Sequence, residues 1–304
     1  MTDWKQKLQD VVGAISKVSG HNNYVNSNST IVLRTIKGLQ VDSDKKNEGA
    51  GYRIVVNMSS AHIPQFCKQS IYKNAYELEA SPRIGSKPVK VSEKRKIVDA
   101  ALHSLTQCNP ESLYFAAVEL NGSGIGFYGD CCLTLRDSTV AETLPAGRSK
   151  VMDRNSYDLI RSPLHDAISV AAGGAVKARA KMAQTMSGDF PVDLPMIAAI
   201  KVLESRPAAG RLLSTGMVSN GVLEDEDYIE ALMTQSFGPE AIDEVRLSAT
   251  DVALDERIRS RGLSGFPPTH AELLWRRRRR VSEARLAEKG ISVRVVTTTG
   301  RTRG

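Results

Sequence analysis

The sequence predicts an α+β protein: an N-terminal mixed strand-and-helix domain containing a β-hairpin, followed by a mainly helical C-terminal region ending in a strand. Three observations predict it. Residues 112–136, SLYFAAVELNGSGIGFYGDCCLTLR, alternate at strand period, whereas several other segments repeat apolar residues at helical spacing between caps. Residues 165–188, HDAISVAAGGAVKARAKMAQTMSG, shift in texture toward Ala and Gly. A chain of 304 residues also exceeds what one core usually serves. The expected division is therefore a mixed domain at 1–164, a connector at 165–188 and a helical domain at 189–304.

The elements follow in chain order. Trp4, Leu8, Val11, Val12, Ile15 and Val18 lie at helical spacing ahead of Gly20, which predicts a helix over 3–19. IVLRTI (31–36) and YRIVVNM (52–58) predict strands. Pro64 confines any helix in HIPQFCKQSIYKNAYELEA to the part after it. SEKRKIVDAALHSL predicts a helix capped by Ser92, with Ile97, Val98, Ala101, Leu102 and Leu105 on one face. LYFAAVEL and the odd positions Ile125, Phe127, Cys131, Leu133 and Leu135 predict two strands joined by NGSG, a hairpin. Gly124, Gly126 and Gly129, in or beside its second strand, point to a bulge, tight packing or room for a ligand. Beyond 188, PMIAAIKVLESR, DEDYIEALMTQ and DVALDERIRSR predict helices, and AIDEVRLS and ISVRVVTT predict strands. Thr269 and Glu272 form a capping-box pattern after Pro267 and Pro268, and Gly290 follows, which places a helix from Thr269 to Lys289.

Several function classes are disfavoured. No apolar run approaches the roughly 20 residues that cross a bilayer, and MTDWKQKLQD lacks the basic-then-apolar order of a secretory signal, so a cytoplasmic protein without a membrane partner is expected. Cys67, Cys108, Cys131 and Cys132 form no Cys-x-x-Cys pair, and none of the histidines group with them at metal spacing, so reduced thiols and no metal are expected. GSGIG (122–126) leads into a strand rather than a helix, unlike a dinucleotide fingerprint. The sequence names no cofactor.

Charge is unevenly placed. From Glu256 to Gly304 there are 13 basic residues against 4 acidic ones, a balance of +9, although the whole chain carries only +7. Residues 219–245 run the other way, with eight acids and no Lys or Arg. The basic excess centres on Arg276, Arg277, Arg278, Arg279 and Arg280. Five consecutive helical residues point all around the axis, so they cannot all line one groove.

Three function classes remain open. The first is a nucleic-acid-associated protein that holds phosphates through Arg276 to Arg280 with Arg301 and Arg303. The second is an enzyme handling a nucleotide or NAD, of glycosyl- or ADP-ribosyl-transfer type, built on residues 112–158. There Glu119, Tyr128 and Arg154 are the catalytic candidates, and Arg148, Asp153, Asn155 and Tyr157 the ligand-binding ones: cations for a diphosphate, aromatic faces for a ring, carboxylates for sugar hydroxyls. The competing explanation for that stretch is a capped turn before a helix starting near Tyr157. The third is a self-associating module that joins acidic 219–245 to basic 276–280.

Overall fold

The computed structural model describes residues 52–81, 90–119, 122–145, 149–154, 156–161, 174–194, 197 and 228–296. The helix expected at 3–19, the strand at 31–36 and all of PMIAAIKVLESR except Ile197 lie outside these residues. So do Arg148, Asn155, Arg301, Arg303 and the acids Glu224 to Asp227.

The chain is α+β. Eight strands, β1 (Arg53–Met58), β2 (Tyr114–Glu119), β3 (Cys131–Leu135), β4 (Lys150–Asp153), β5 (Ser187–Asp189), β6 (Ile229–Met233), β7 (Ile242–Ser248) and β8 (Ser292–Val296), form one sheet in the order β5-β4-β6-β2-β1-β3-β7-β8. All neighbours are antiparallel except β7 and β8. Eight helices are described: α1 (Ile63–Gln69), α2 (Ala75–Ala80), α3 (Glu93–Thr106), α4 (Asp137–Thr143), α5 (Ser156–Ile160), α6 (Ala175–Met186), α7 (Ala249–Leu263) and α8 (His270–Glu288). None of them is long and apolar enough to cross a membrane.

Local signals set several boundaries. Pro64 occupies the first turn of α1, where its missing N–H costs nothing. Ser92 accepts a hydrogen bond from Arg95 N and starts α3, as expected. At α8 the capping box is complete: Thr269 accepts from Glu272 N, and Glu272 accepts from Thr269 N at 2.7 Å. The helices α7 and α8 form the crossover that makes β7 and β8 parallel.

Three expectations are corrected. The hairpin does not form, because β1 lies between β2 and β3 and pairs with both. The stretch between them is a pinned loop containing a 3-10 turn, Gly126–Tyr128, so the second strand begins at Cys131 rather than Ile125. DEDYIEALMTQ yields β6, not a helix: Ile229–Met233 is buried at every position between β4 and β2, a setting in which sheet pairing overrides helix propensity. Within the expected connector, Ala175–Met186 is helix α6, packed on α3, and β5 follows it directly. The sheet runs across this division, for β6 and β7 from the C-terminal side flank β2, β1 and β3 from the N-terminal side.

The main core gathers Ile54, Val56 and Met58 of β1 and Cys131, Leu133 and Leu135 of β3 with Ile63, Phe66 and Cys67 of α1 and Leu286 of α8. A smaller cluster holds Val55, Ala117, Ile125, Cys132 and Tyr228. Strand alternation thus sends the adjacent Cys131 and Cys132 to opposite faces. All four cysteines are free thiols.

Candidate functional site

The centre of the sheet is split. β1 pairs with β2 only from Arg53–Glu119 to Val55–Ala117, whereas its pairing with β3 runs on to Met58, and β2 pairs with β6 from Tyr114 to Ala117. Past Val55 and Ala117 the two middle strands part. A cavity of about 280 Å³ fills the opening, walled by Asn57 and Ser59 on one side and Phe115 and Ala116 on the other. His62, Lys73, Arg95, Tyr128, Tyr228 and Glu230 are among the other lining residues, beside apolar ones such as Ile125 and Leu78.

Arg95 projects from the first turn of α3. Its guanidinium lies 3.7 Å above the Phe115 ring, and its Nε is 2.9 Å from the Asp99 carboxylate one turn on. Asp99 is fully buried and also accepts a hydrogen bond from the Tyr76 hydroxyl at 3.0 Å. The guanidinium is therefore held by its inner nitrogen and by its face. Among the described residues no hydrogen bond engages its two terminal nitrogens, and the residue lines the cavity. A fixed guanidinium with an open fork is the geometry that receives a carboxylate or phosphate.

Glu230 lies on β6 at the same cavity and is almost wholly buried. The Tyr157 hydroxyl donates to it. Burial pushes the Glu230 carboxyl above the usual carboxylate range, opposed by the positive charges of Arg95 and Arg154 and by the Tyr157 bond. Burial, with the negative charge of Glu230 beside it, also raises the Tyr157 phenol. Tyr228 is raised for the same two reasons, and its hydroxyl is 3.1 Å from that of Tyr128. Two guanidiniums thus stand among two carboxylates, Asp99 and Glu230, and near three phenols.

Compared with protein-family models, curated proteins and solved structures, the chain finds no match.

The residues expected from sequence divide into those at the cavity and those that build it. Tyr128 lines the cavity. Tyr157 and Arg154 stand behind it, Tyr157 holding Glu230 and Arg154 lying 4.5 Å over the Tyr157 ring. Asp153 is buried at the end of β4, Arg154 stands in the turn after it, and α5 starts at Ser156, close to the start near Tyr157 that the capped-turn reading expects. Glu119 is not a cavity residue. Its carboxylate is buried and accepts hydrogen bonds from Gly122 N at 3.2 Å and Gly124 N at 2.9 Å, which ties down the loop after β2. A catalytic role for Glu119 has no support in this position. Two of the glycines serve close packing: Gly124 has φ +68° and a Cβ there would run into the Asn57 side chain, and a Cβ at Gly129 would run into the Met58–Ser59 backbone.

Arg95, Asp99, Phe115, Tyr228 and Glu230 were not singled out by sequence. A signal existed for two of them. Asp99 sits between Val98 and Leu102 of the apolar stripe, one turn after Arg95, which marks a carboxylate buried with a partner. Glu230 became recognisable only once its segment was a strand.

The arginine run is largely consumed within the fold. Arg276 and Arg280 both reach Asp255 of α7, at 3.0 and 2.5 Å, and Arg280 also reaches Glu283 at 2.9 Å. Arg279 is buried, 5.2 Å from the Trp275 ring centroid and 3.5 Å from Glu283. Arg277 and Arg278 are exposed and carry no ion pair among the described residues. Among the described residues the arginines pair with Asp255 and Glu283. Within the acidic segment 219–245, Glu244 binds Arg246 and Arg294.

Proposed function

We propose that the chain is an enzyme that binds a small anionic substrate in the split between β1 and β2 and performs acid–base chemistry on it. Arg95 is the anion-binding group and Glu230 the acid–base group. The observation that carries this reading is the Arg95 fork, fixed by Asp99 and Phe115 and open to a cavity that also holds a buried carboxyl. A buried carboxyl with raised proton affinity is suited to take up a proton and deliver it to a bound group. Binding and proton affinity are linked. An anion on Arg95 competes for the positive charge that supports ionised Glu230, so its arrival promotes proton uptake there. The general acid is loaded by the ligand it serves. Among the three classes read from sequence this supports the nucleotide- or NAD-handling enzyme, with Tyr128, Tyr157 and Arg154 retained near the site.

Titration calorimetry with pyrophosphate, ADP and NAD tests it. Saturable binding is expected below about 1 mM. Arg95→Gln abolishes it in protein shown by circular dichroism to remain folded, at some loss of stability because Asp99 loses its charged partner, whereas Glu230→Gln keeps binding and removes turnover of whichever probe is consumed. No saturable binding of any probe, or full binding by Arg95→Gln, overturns the reading.

A second reading, phosphate-backbone binding by α8, is supported by the exposed Arg277 and Arg278. Duplex DNA binding through these two would fall with salt at a log–log slope of about 0.9 per contact. Replacing both by Gln and finding the slope unchanged removes α8 from any such interface.

A further inference from the structure

We infer that the ligand of this pocket carries a heteroaromatic ring that stacks on Phe127 at the mouth, which makes its class a nucleoside phosphate. The inference rests on the pocket reading above. Phe127 is 74% exposed, yet it stands on the 3-10 turn that also delivers Tyr128 to the cavity. Its ring meets Tyr128 edge to face at 5.3 Å, and Tyr128 meets Tyr228 in the same way at 6.2 Å. The three rings form a ladder from the surface to the cavity that Arg95 lines.

The loop that presents Phe127 is held too firmly for the exposed ring to be incidental to a loose surface segment. The Asn57 side chain donates to Ser123 O at 3.1 Å and Gly129 O at 3.0 Å, and accepts from Ile125 N at 2.6 Å. Glu119 takes two more N–H groups at the loop's start, Gly122 and Gly124. Five bonds from two β-strand side chains therefore fix the platform. A large exposed apolar ring on a rigid loop beside a cavity fits a binding role, because it has no reorganisation left to do when a planar partner arrives. The cavity's size agrees. About 280 Å³ is below the roughly 300–1,000 Å³ that encloses a drug-sized ligand, and Phe127 touches the lining residue Tyr128 without lining the cavity itself, so the phosphate end enters toward Arg95 while the ring rests outside on Phe127.

The test compares AMP, UMP, ribose 5-phosphate and pyrophosphate on the full chain by titration calorimetry, so that the nucleotides differ from the sugar phosphate by the base alone. The native protein is expected to bind the two nucleotides about tenfold more tightly than ribose 5-phosphate, the size of one stacked base. Phe127→Ala should erase that difference while leaving pyrophosphate affinity and melting temperature unchanged, and Phe127→Trp should keep it. An unchanged nucleotide preference in Phe127→Ala, with Arg95→Gln still abolishing all binding, overturns the ring assignment and leaves the pocket reading standing. Absence of binding by every probe overturns both.

Discussion

At the scale of single residues, two carboxylates that look alike in the sequence have opposite duties. Glu230 is buried with its proton affinity raised, so the fold holds its proton more tightly than the unfolded chain does. Between the ordinary carboxylate range and that raised value the folded state binds more protons, and stability falls as pH rises through this window. Asp99 is raised by burial as well and adds to the same slope. Glu230→Gln is therefore expected to be as stable as the native protein or more so at neutral pH, with a flatter dependence of melting temperature on pH, while losing turnover. Such a gain on removing an ionisable group marks a site rather than a scaffold. A marked loss of stability at neutral pH would assign Glu230 to the scaffold. Affinity for pyrophosphate should weaken as pH rises across the same window, because binding takes up a proton. Glu119 serves the scaffold. It holds two backbone N–H groups of a buried loop, and Glu119→Ala is expected to cost about 1–3 kcal/mol in denaturant unfolding.

At the scale of elements, α8 is a strut rather than a free basic surface. Asp255 of α7 joins Arg276 and Arg280, the Ser282 hydroxyl donates to Ser60 O at 2.5 Å, and Leu286 enters the core. Ser60 N in turn donates to Asp130 at 2.7 Å, so the helix braces the turn after β1 next to the Ser59 wall of the cavity. Asp255→Asn should lower stability by about 1–2 kcal/mol, discounted for the partial exposure of both arginines, as read from urea midpoints. Replacing Arg277 and Arg278 together by Gln should change stability by less than about 0.5 kcal/mol, since neither has an ion-pair partner to lose among the described residues. A loss in the second variant equal to that in the first would refute the distinction drawn along the helix.

At the scale of the whole molecule, strand order decides what can fold alone. β6 and β7 are separated in the sheet by β2, β1 and β3, so among the described strands of residues 189–304 only β7 and β8 pair with each other. A fragment starting at 189 would leave edges of β6 and β7 unpaired and apolar. The intact chain is expected to unfold in one transition, with circular dichroism and calorimetry coincident, and the separately produced halves to lack cooperative unfolding. Two resolved transitions, or a folded C-terminal fragment, would restore the division expected at 165–188.

What the sequence determined by itself is what local chemistry controls. Ser92, Thr269 with Glu272, and Pro64 placed helix starts because caps act within one turn, and alternation placed β1, β7 and β8 and sent Cys131 and Cys132 to opposite faces. The crowding of polar and aromatic residues from Arg148 to Asp158 singled out Arg154 and Tyr157, which lie behind the cavity that Tyr128 lines. Only the tertiary structure decided the rest. Insertion of β1 between β2 and β3 joins residues some 60 to 80 positions apart, and nothing local encodes it. Burial on both faces turned IEALM into a strand, and that strand brought Glu230 to within reach of Tyr157 and Arg95. The parting of β1 from β2, which opens the cavity, arises from competition among long-range pairings, a property of the assembled sheet and of no single segment.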